Sequence, residues 1–280
     1  MPSIVDSYLA VPTAENNKKI VKSFLVNDVF TSGPFVGMSY DEASDLERDY
    51  ELELKRHAKD IVSEQFWYFL SEGKTLNELF HMWAWAPTKQ YGFIKLTPNW
   101  AQDIIGEEIE KARAEERPCY ISNLKARQWG ITTYLQIIKY YLNAMHEYTN
   151  GLTMAHKREK VSGIFKIQKE SHKAMPFKPR VKFTRNGAEF LKTHSSAMVE
   201  SAEDDEPARS SSYRWVHQSE PAFYSRPELV DAAVASTLPD RGFFLWYKES
   251  TANGAGNSFY EGWKLAEQGK SDYLALFFPW

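Results

Sequence analysis

Apolar side chains at Ile131, Tyr134, Leu135, Ile137, Ile138, Tyr141, Leu142 and Met145 recur at three- and four-residue spacing, which lines one face of a helix. Ahead of them, residues 119–124 form a short apolar run of the length of a buried strand, set off by Pro118. The chain there reads strand, loop, helix, with Gly130 at the turn. A second helical pattern covers 100–117 and opens after Pro98, with Thr97 or Asn99 as its cap. Residues 40–86 are helical in character too. Their aromatic cluster, Phe66, Trp67 and Phe69 followed by Phe80 and Trp83, predicts packed helices rather than a cofactor pocket, and Pro87 is expected to close the segment. Residues 1–39, broken by Pro12, Gly33, Pro34 and Gly37, are expected to form an extended arm.

Beyond the central helix, strands are expected at 152–155, 181–183, 189–193, 213–218 and 243–248, with a helix over 158–170. That alternation predicts an α/β fold over 87–280, a mainly parallel sheet flanked by helices, preceded by the arm and the helical segment. The polar stretch 195–212 is expected to be a mobile loop.

A chain of 280 residues with 43% hydrophobic and 15% aromatic content has material for one large domain or two modest ones. No apolar run reaches the length of a membrane span, so a soluble protein is expected. The single cysteine excludes an internal disulfide framework and a cysteine-based zinc site, and fits a reducing cytoplasm. The N-terminus has no signal-peptide pattern. The net charge of −3 hides an uneven distribution: 157–192 carries eleven Lys or Arg against three acids, while 41–53 and 200–206 are acidic. The basic block is a candidate polyanion surface, or else a solvated face neutralised by its neighbours.

The candidate chemistry lies at strand ends. The loop Lys125-Ala126-Arg127-Gln128-Trp129-Gly130-Ile131-Thr132-Thr133 resembles the phosphate-binding pattern G-x-x-x-x-G-K-[ST], with Lys125 at the first glycine and Ile131 at the usual lysine. Cationic charge persists at Lys125 and Arg127. An ordinary strand-to-helix connection with both cations solvated is the alternative. Next, 213–218 leads into Ser219-Glu220-Pro221. An acid at that strand end is placed to orient an attacking water, whereas the position of a metal-binding aspartate holds Ser219; a plain helix cap would look the same. Third, Thr251 and Asn253 sit in a small-residue run after 243–248 that either approaches a ligand or merely needs positive φ.

Taken in order, Lys-Ala-Arg-Gln-Trp-Gly-Ile-Thr-Thr at 125–133, Val-His-Gln-Ser-Glu-Pro-Ala-Phe at 216–223, Ser-Thr-Ala-Asn-Gly at 250–254 and Lys-Ser-Asp-Tyr-Leu-Ala-Leu-Phe-Phe-Pro-Trp at 270–280 resemble the ATPase half of tailed-bacteriophage large terminase subunits. The resemblance covers roughly 87–280 and implies a P-loop NTPase-like fold that hydrolyses ATP with Mg²⁺ to drive double-stranded DNA into a viral procapsid. It implies that Lys125 and Arg127 bind phosphates and stabilise transferring charge, that Thr132 ligates Mg²⁺ with Ser219 assisting, directly or through water, and that Glu220 activates water. Gln102 resembles the family's adenine-contacting glutamine, Thr251 and Asn253 its coupling residues, and Arg209 is a candidate sensor or subunit-facing arginine. The implied partners are duplex DNA, the portal protein, the small terminase subunit and further copies in a ring, in the host cytoplasm and transiently on the procapsid. Because the sequence ends about where the family's nuclease part begins, no DNA cleavage is expected. A helicase-like ATPase and a catalytically weakened nucleotide-binding scaffold are the competing expectations.

Overall fold

The structure is a computed structural model and describes residues 52–88, 92–203 and 211–279. The arm, residues 40–51 and Arg209 lie outside the described residues. Helices α1 (Leu52–Ser71) and α2 (Leu76–Trp83) come first, the latter started by a capping box between Thr75 and Glu78. The chain then forms an antiparallel hairpin, β1 (Trp85–Thr88) and β2 (Gly92–Lys95). Pro87 therefore sits inside a strand and does not end the helices, which stop at Trp83. A two-stranded hairpin tolerates it because an edge strand can spare one N–H. Helix α3 (Trp100–Ala114) opens at Asn99, whose side chain accepts from the N–H groups of Ala101 and Gln102.

The strands β3 (Cys119–Lys125), β4 (Asn150–Ala155), β5 (Val181–Phe183), β6 (Gly187–Phe190), β7 (Ser195–Ser201), β8 (Trp215–Ser219), β9 (Leu245–Ser250) and β10 (Leu274–Phe278) share one sheet in the order β10-β3-β9-β8-β4-β7-β6-β5. The first six are mutually parallel and the last two antiparallel. The fold is the expected α/β class. Helix α4 (Ile131–Met145), α5 (Arg158–Ala174), α2 and α3 form a core on one face with Ile121, Trp215, Leu245 and Tyr247. Alternate residues of the same strands, Leu152, Met154, Val216 and Trp246, face α6 (Pro227–Ala235) on the other side, and α7 (Ser258–Glu267) completes that layer. Burial on both faces explains the near-continuous apolar strands.

One segment differs from expectation. Residues 195–201 are a strand paired in parallel with β4, and not part of a mobile loop. Its inward positions are Ser195, Ala197, Val199 and Ser201, small side chains of which two are polar, so the run lacks a strong apolar alternation. Among the described residues no helix is long and apolar enough to cross a membrane.

Candidate active site

Strands β3, β9 and β8 lie side by side and end together, so their last residues share one rim, the carboxyl edge where open parallel sheets bind ligands. From β3 the chain turns through residues 126–130 into α4. Gly130 holds a left-handed conformation, φ 68°, and no side chain caps the helix behind it. The N–H groups of the first turn thus face the loop, with the positive end of the helix dipole added to them. The turn is braced from α3: Gln102 Nε2 donates to the carbonyls of Trp129 and Gly130, both at 3.2 Å, and Asn99 Nδ2 donates to the Trp129 carbonyl at 3.1 Å. On the other side the Ala126 N–H donates to the Phe278 carbonyl at 2.9 Å and Trp129 Nε1 donates to that of Pro279 at 3.1 Å.

Within this rim the charges converge. The Lys125 ammonium lies 2.9 Å from Glu249 Oε2 and 3.3 Å from Glu220 Oε1. Glu249, fully buried, was not singled out as a site residue, yet it is the hub: Oε1 accepts from Thr132 Oγ1 at 2.7 Å, Ser219 Oγ at 3.0 Å and His217 Nε2 at 3.2 Å. Burial pushes the Glu249 carboxyl up, but the His217 hydrogen bond and the Lys125 charge outweigh it and hold the group down at about 2. Burial likewise lowers the Lys125 ammonium alone, and Glu249 followed by Glu220 reverses this and raises it. For His217 burial wins and its pKa falls. The neutral ring keeps its proton on Nε2, because Nδ1 accepts from Gln136 Nε2 at 2.9 Å. Glu249 is therefore an anion at neutral pH, with three hydrogen-bond donors on one oxygen and the Lys125 charge beside the other.

Glu220 has φ 56°, unusual for a residue with a side chain. Its N–H donates to the Glu249 carbonyl at 2.7 Å, and Pro221 fixes the chain after it. That backbone turns the carboxylate toward β9, where Oε2 accepts from Ser250 Oγ (3.1 Å), the Thr251 N–H (2.8 Å) and Thr251 Oγ1 (2.9 Å). Asn253 Nδ2 donates to the Ala222 carbonyl at 2.9 Å, tying the small-residue run to the turn that follows Glu220.

The structure thus brings together Lys125, Thr132, Ser219, Glu220 and Thr251 from three separated sequence segments. Arg127 is exposed on the loop, Gln128 adopts φ 73°, and Thr133 is half-buried one residue behind Thr132. Ile131 is 1% exposed and belongs to the core, which is why that position carries no cation. Gln102 is bonded to the loop backbone. Glu249 was signalled in the sequence only as an acid ending an apolar strand; its meaning comes from register, since it pairs with Ser219 on the neighbouring strand.

The residues fit a triphosphate with a divalent cation. A cationic side chain and a ring of backbone N–H groups suit phosphate. The hydroxyls of Thr132 and Ser219 converge on one carboxylate oxygen, and such hard oxygens are what Mg²⁺ takes. Among the described residues no group of three or more His, Cys, Asp or Glu side chains is placed to hold a metal ion. The ion would draw most of its ligands from phosphate and water, as Mg²⁺ commonly does.

No family model matches the chain and no curated protein matches it. Solved structures do. The large terminase of bacteriophage HK97 superposes with a TM-score of 0.55 at 12% identity, over 74% of this chain and 43% of that one. A thermophilic bacteriophage D6E large terminase gives 0.49 at 14% identity over 66% and 46%, and the Thermus phage P74-26 large terminase ATPase domain gives 0.49 at 14% over 65% and 81%. The HK97 likeness shows a shared fold, and this chain spans less than half of that relative's length.

Proposed function

We propose that this chain is the ATP-hydrolysing motor unit of a machine that drives double-stranded DNA into a viral procapsid, working as a ring of copies on the portal protein with the small terminase subunit, in the host cytoplasm. The observation that carries this reading is the meeting of Lys125 at the end of β3, Glu220 just past the end of β8 and Glu249 on the strand between them with Thr132 in the first turn of a glycine-started helix whose first N–H groups are uncapped.

In this reading the N–H groups at the start of α4 and the side chains of Lys125 and Arg127 bind the phosphates, and Gln102 fixes the loop while lying toward the base. Thr132 and Ser219 would hold Mg²⁺, which when bound would supply neutralisation of the charge that develops during transfer. When Lys125 turns to the phosphates it releases Glu220 Oε1, which then orients a water and accepts its proton as the water oxygen bonds to the γ-phosphorus; the bond from that phosphorus to the β–γ bridging oxygen breaks, and ADP leaves. Thr251 keeps the other Glu220 oxygen in place throughout. Loss of the γ-phosphate returns Lys125 to Glu220, and Thr251 and Asn253 carry that change to the small-residue run. Arg209 serves as a sensor or reaches a neighbouring subunit.

A second reading, a nucleotide-binding protein with weakened catalysis, is favoured by one observation: Lys125 already faces two carboxylates. Titration of ATP with Mg²⁺ followed by phosphate release, with and without duplex DNA, separates the two. The motor reading expects binding and DNA-stimulated release. Binding without release favours the second, and no binding at millimolar ATP overturns both.

A further inference from the structure

Ser219 stands where a metal-binding nucleotide hydrolase of this layout needs an anion, and its hydroxyl carries no charge. Mg²⁺ sites of this type use one or two carboxylates beside the phosphates. Two carboxylates lie on the rim described above. Glu220 is turned toward Ser250 and Thr251, which together hold its Oε2, and it makes no hydrogen bond to Thr132 or Ser219. Glu249 is the one hydrogen-bonded to Thr132, the loop hydroxyl that faces a cation in such sites.

Register explains how Glu249 replaces an acid at 219. The two residues are direct partners across β8 and β9, so moving the acid one strand sideways leaves it at the same height on the rim. The glutamate side chain then reaches back across the strand gap, and its Oε1 is 3.0 Å from Ser219 Oγ.

The surroundings hold it there. Lys139, buried in α4, donates to Thr153 Oγ1 at 2.6 Å; Thr153 Oγ1 lies 3.3 Å from Gln136 Oε1; Gln136 Nε2 is 2.9 Å from His217 Nδ1; and His217 Nε2 is 3.2 Å from Glu249. A buried chain of this kind fixes the rotamer of its last member, the outer-shell support that metal ligands commonly have. The other oxygen, Oε2, accepts no hydrogen bond and lies 2.9 Å from the Lys125 ammonium. A buried ion pair is often only structural. This one is formed by the residue that the phosphates also attract, and its two roles cannot be filled at once.

We propose that Glu249 supplies the anionic oxygen of a divalent-cation site completed by Thr132 and Ser219, and that Lys125 covers that oxygen until a polyphosphate draws the ammonium away. The inference rests on the nucleotide-hydrolase reading of the loop. Lys125 is then a gate: its release toward phosphate exposes Glu249, so phosphate and cation binding favour each other.

Mn²⁺ is the probe, its binding to the full chain read from the free-ion electron paramagnetic resonance signal, with and without a non-hydrolysable ATP analogue. With the analogue, Glu249→Gln weakens Mn²⁺ binding by about tenfold or more, while analogue affinity in EDTA holds or tightens because Lys125 is freed. Without nucleotide, Lys125→Met binds Mn²⁺ more tightly than the unaltered chain, and the double variant Lys125→Met/Glu249→Gln loses that gain. The double variant removes the buried pair together, which spares the fold if Glu249→Gln alone does not melt cooperatively. Unchanged Mn²⁺ binding in Glu249→Gln, or a gain that persists in the double variant, overturns the assignment. If the analogue fails to bind the unaltered chain at all, the nucleotide reading falls, and the nucleotide-free arm still decides the cation site.

Discussion

Lys125 and Lys139 are both buried, 7% and 1% exposed, fourteen residues apart across one loop and half a helix, and the protein treats them in opposite ways. Lys125 lies between two carboxylates and its pKa is raised; Lys139, among the described residues, donates to the Leu152 carbonyl and the Thr153 hydroxyl and has no carboxylate beside it, and burial drives its pKa well below the ordinary value. One is a retained charge, the other a hydrogen-bond donor whose charge is disfavoured. A buried cation keeps its charge where a countercharge has been brought to it, and a cation held by exchangeable partners is available to an incoming anion. The two are joined through Thr153, Gln136, His217 and Glu249, so Lys139 anchors the carboxylate that holds Lys125.

The sharpest test removes one countercharge of Lys125 and leaves the other. Glu220→Gln is expected to lower ATP hydrolysis by about two to four orders of magnitude, with ATP affinity preserved, as read by phosphate release and nucleotide titration. Equal hydrolysis would reduce Glu220 to a partner of Lys125. Next in size, Lys125→Ala is expected to weaken ATP binding or turnover by about tenfold, the scale of a lost charge-assisted contact. Lys192→Ala, which removes a cation stacked on Tyr68 away from the site, is expected to change neither; the reverse ranking places the phosphate charge elsewhere.

Lys139→Met gives the smallest effect and the most specific signature. The unfolded chain takes up the lysine proton below its ordinary pKa of about 10.4, while the folded chain resists it, so charging disfavours the native state at neutral pH. Stability of the unaltered protein then rises as pH approaches 10, whereas the variant lacks this contribution. The difference between their melting temperatures, within about 4 °C at pH 7, is expected to shift in favour of the unaltered chain as pH rises. A difference independent of pH would show that Lys139 stays charged inside.

Helices α3, α4 and α5 and the succession of strand-end motifs along the chain were legible because long periodic patterns and strand-end polar residues are local signals. Asn99 and Gly130 announced the starts of α3 and α4 by their own chemistry. Three features were not legible. Strand β7 hides because its inward residues are small and two of the four are serines, and their burial depends on neighbours distant in sequence. Pro87 suggested an end where an edge strand can accommodate it. Glu249 has no local signature, since its partners Thr132, Ser219 and Lys125 lie 117, 30 and 124 positions away, and only the pairing of β8 with β9 sets it opposite Ser219.

The bond from Trp129 to the Pro279 carbonyl, together with that from Ala126 to Phe278, gives β10 a mechanical meaning. The first residue of the turn that precedes α4 is fastened to the last residue of that strand, and the fourth to Pro279 just beyond it. The edge strand and the turn are thus tied to each other with no linker between them, so a displacement at the end of β10 would be felt in the turn.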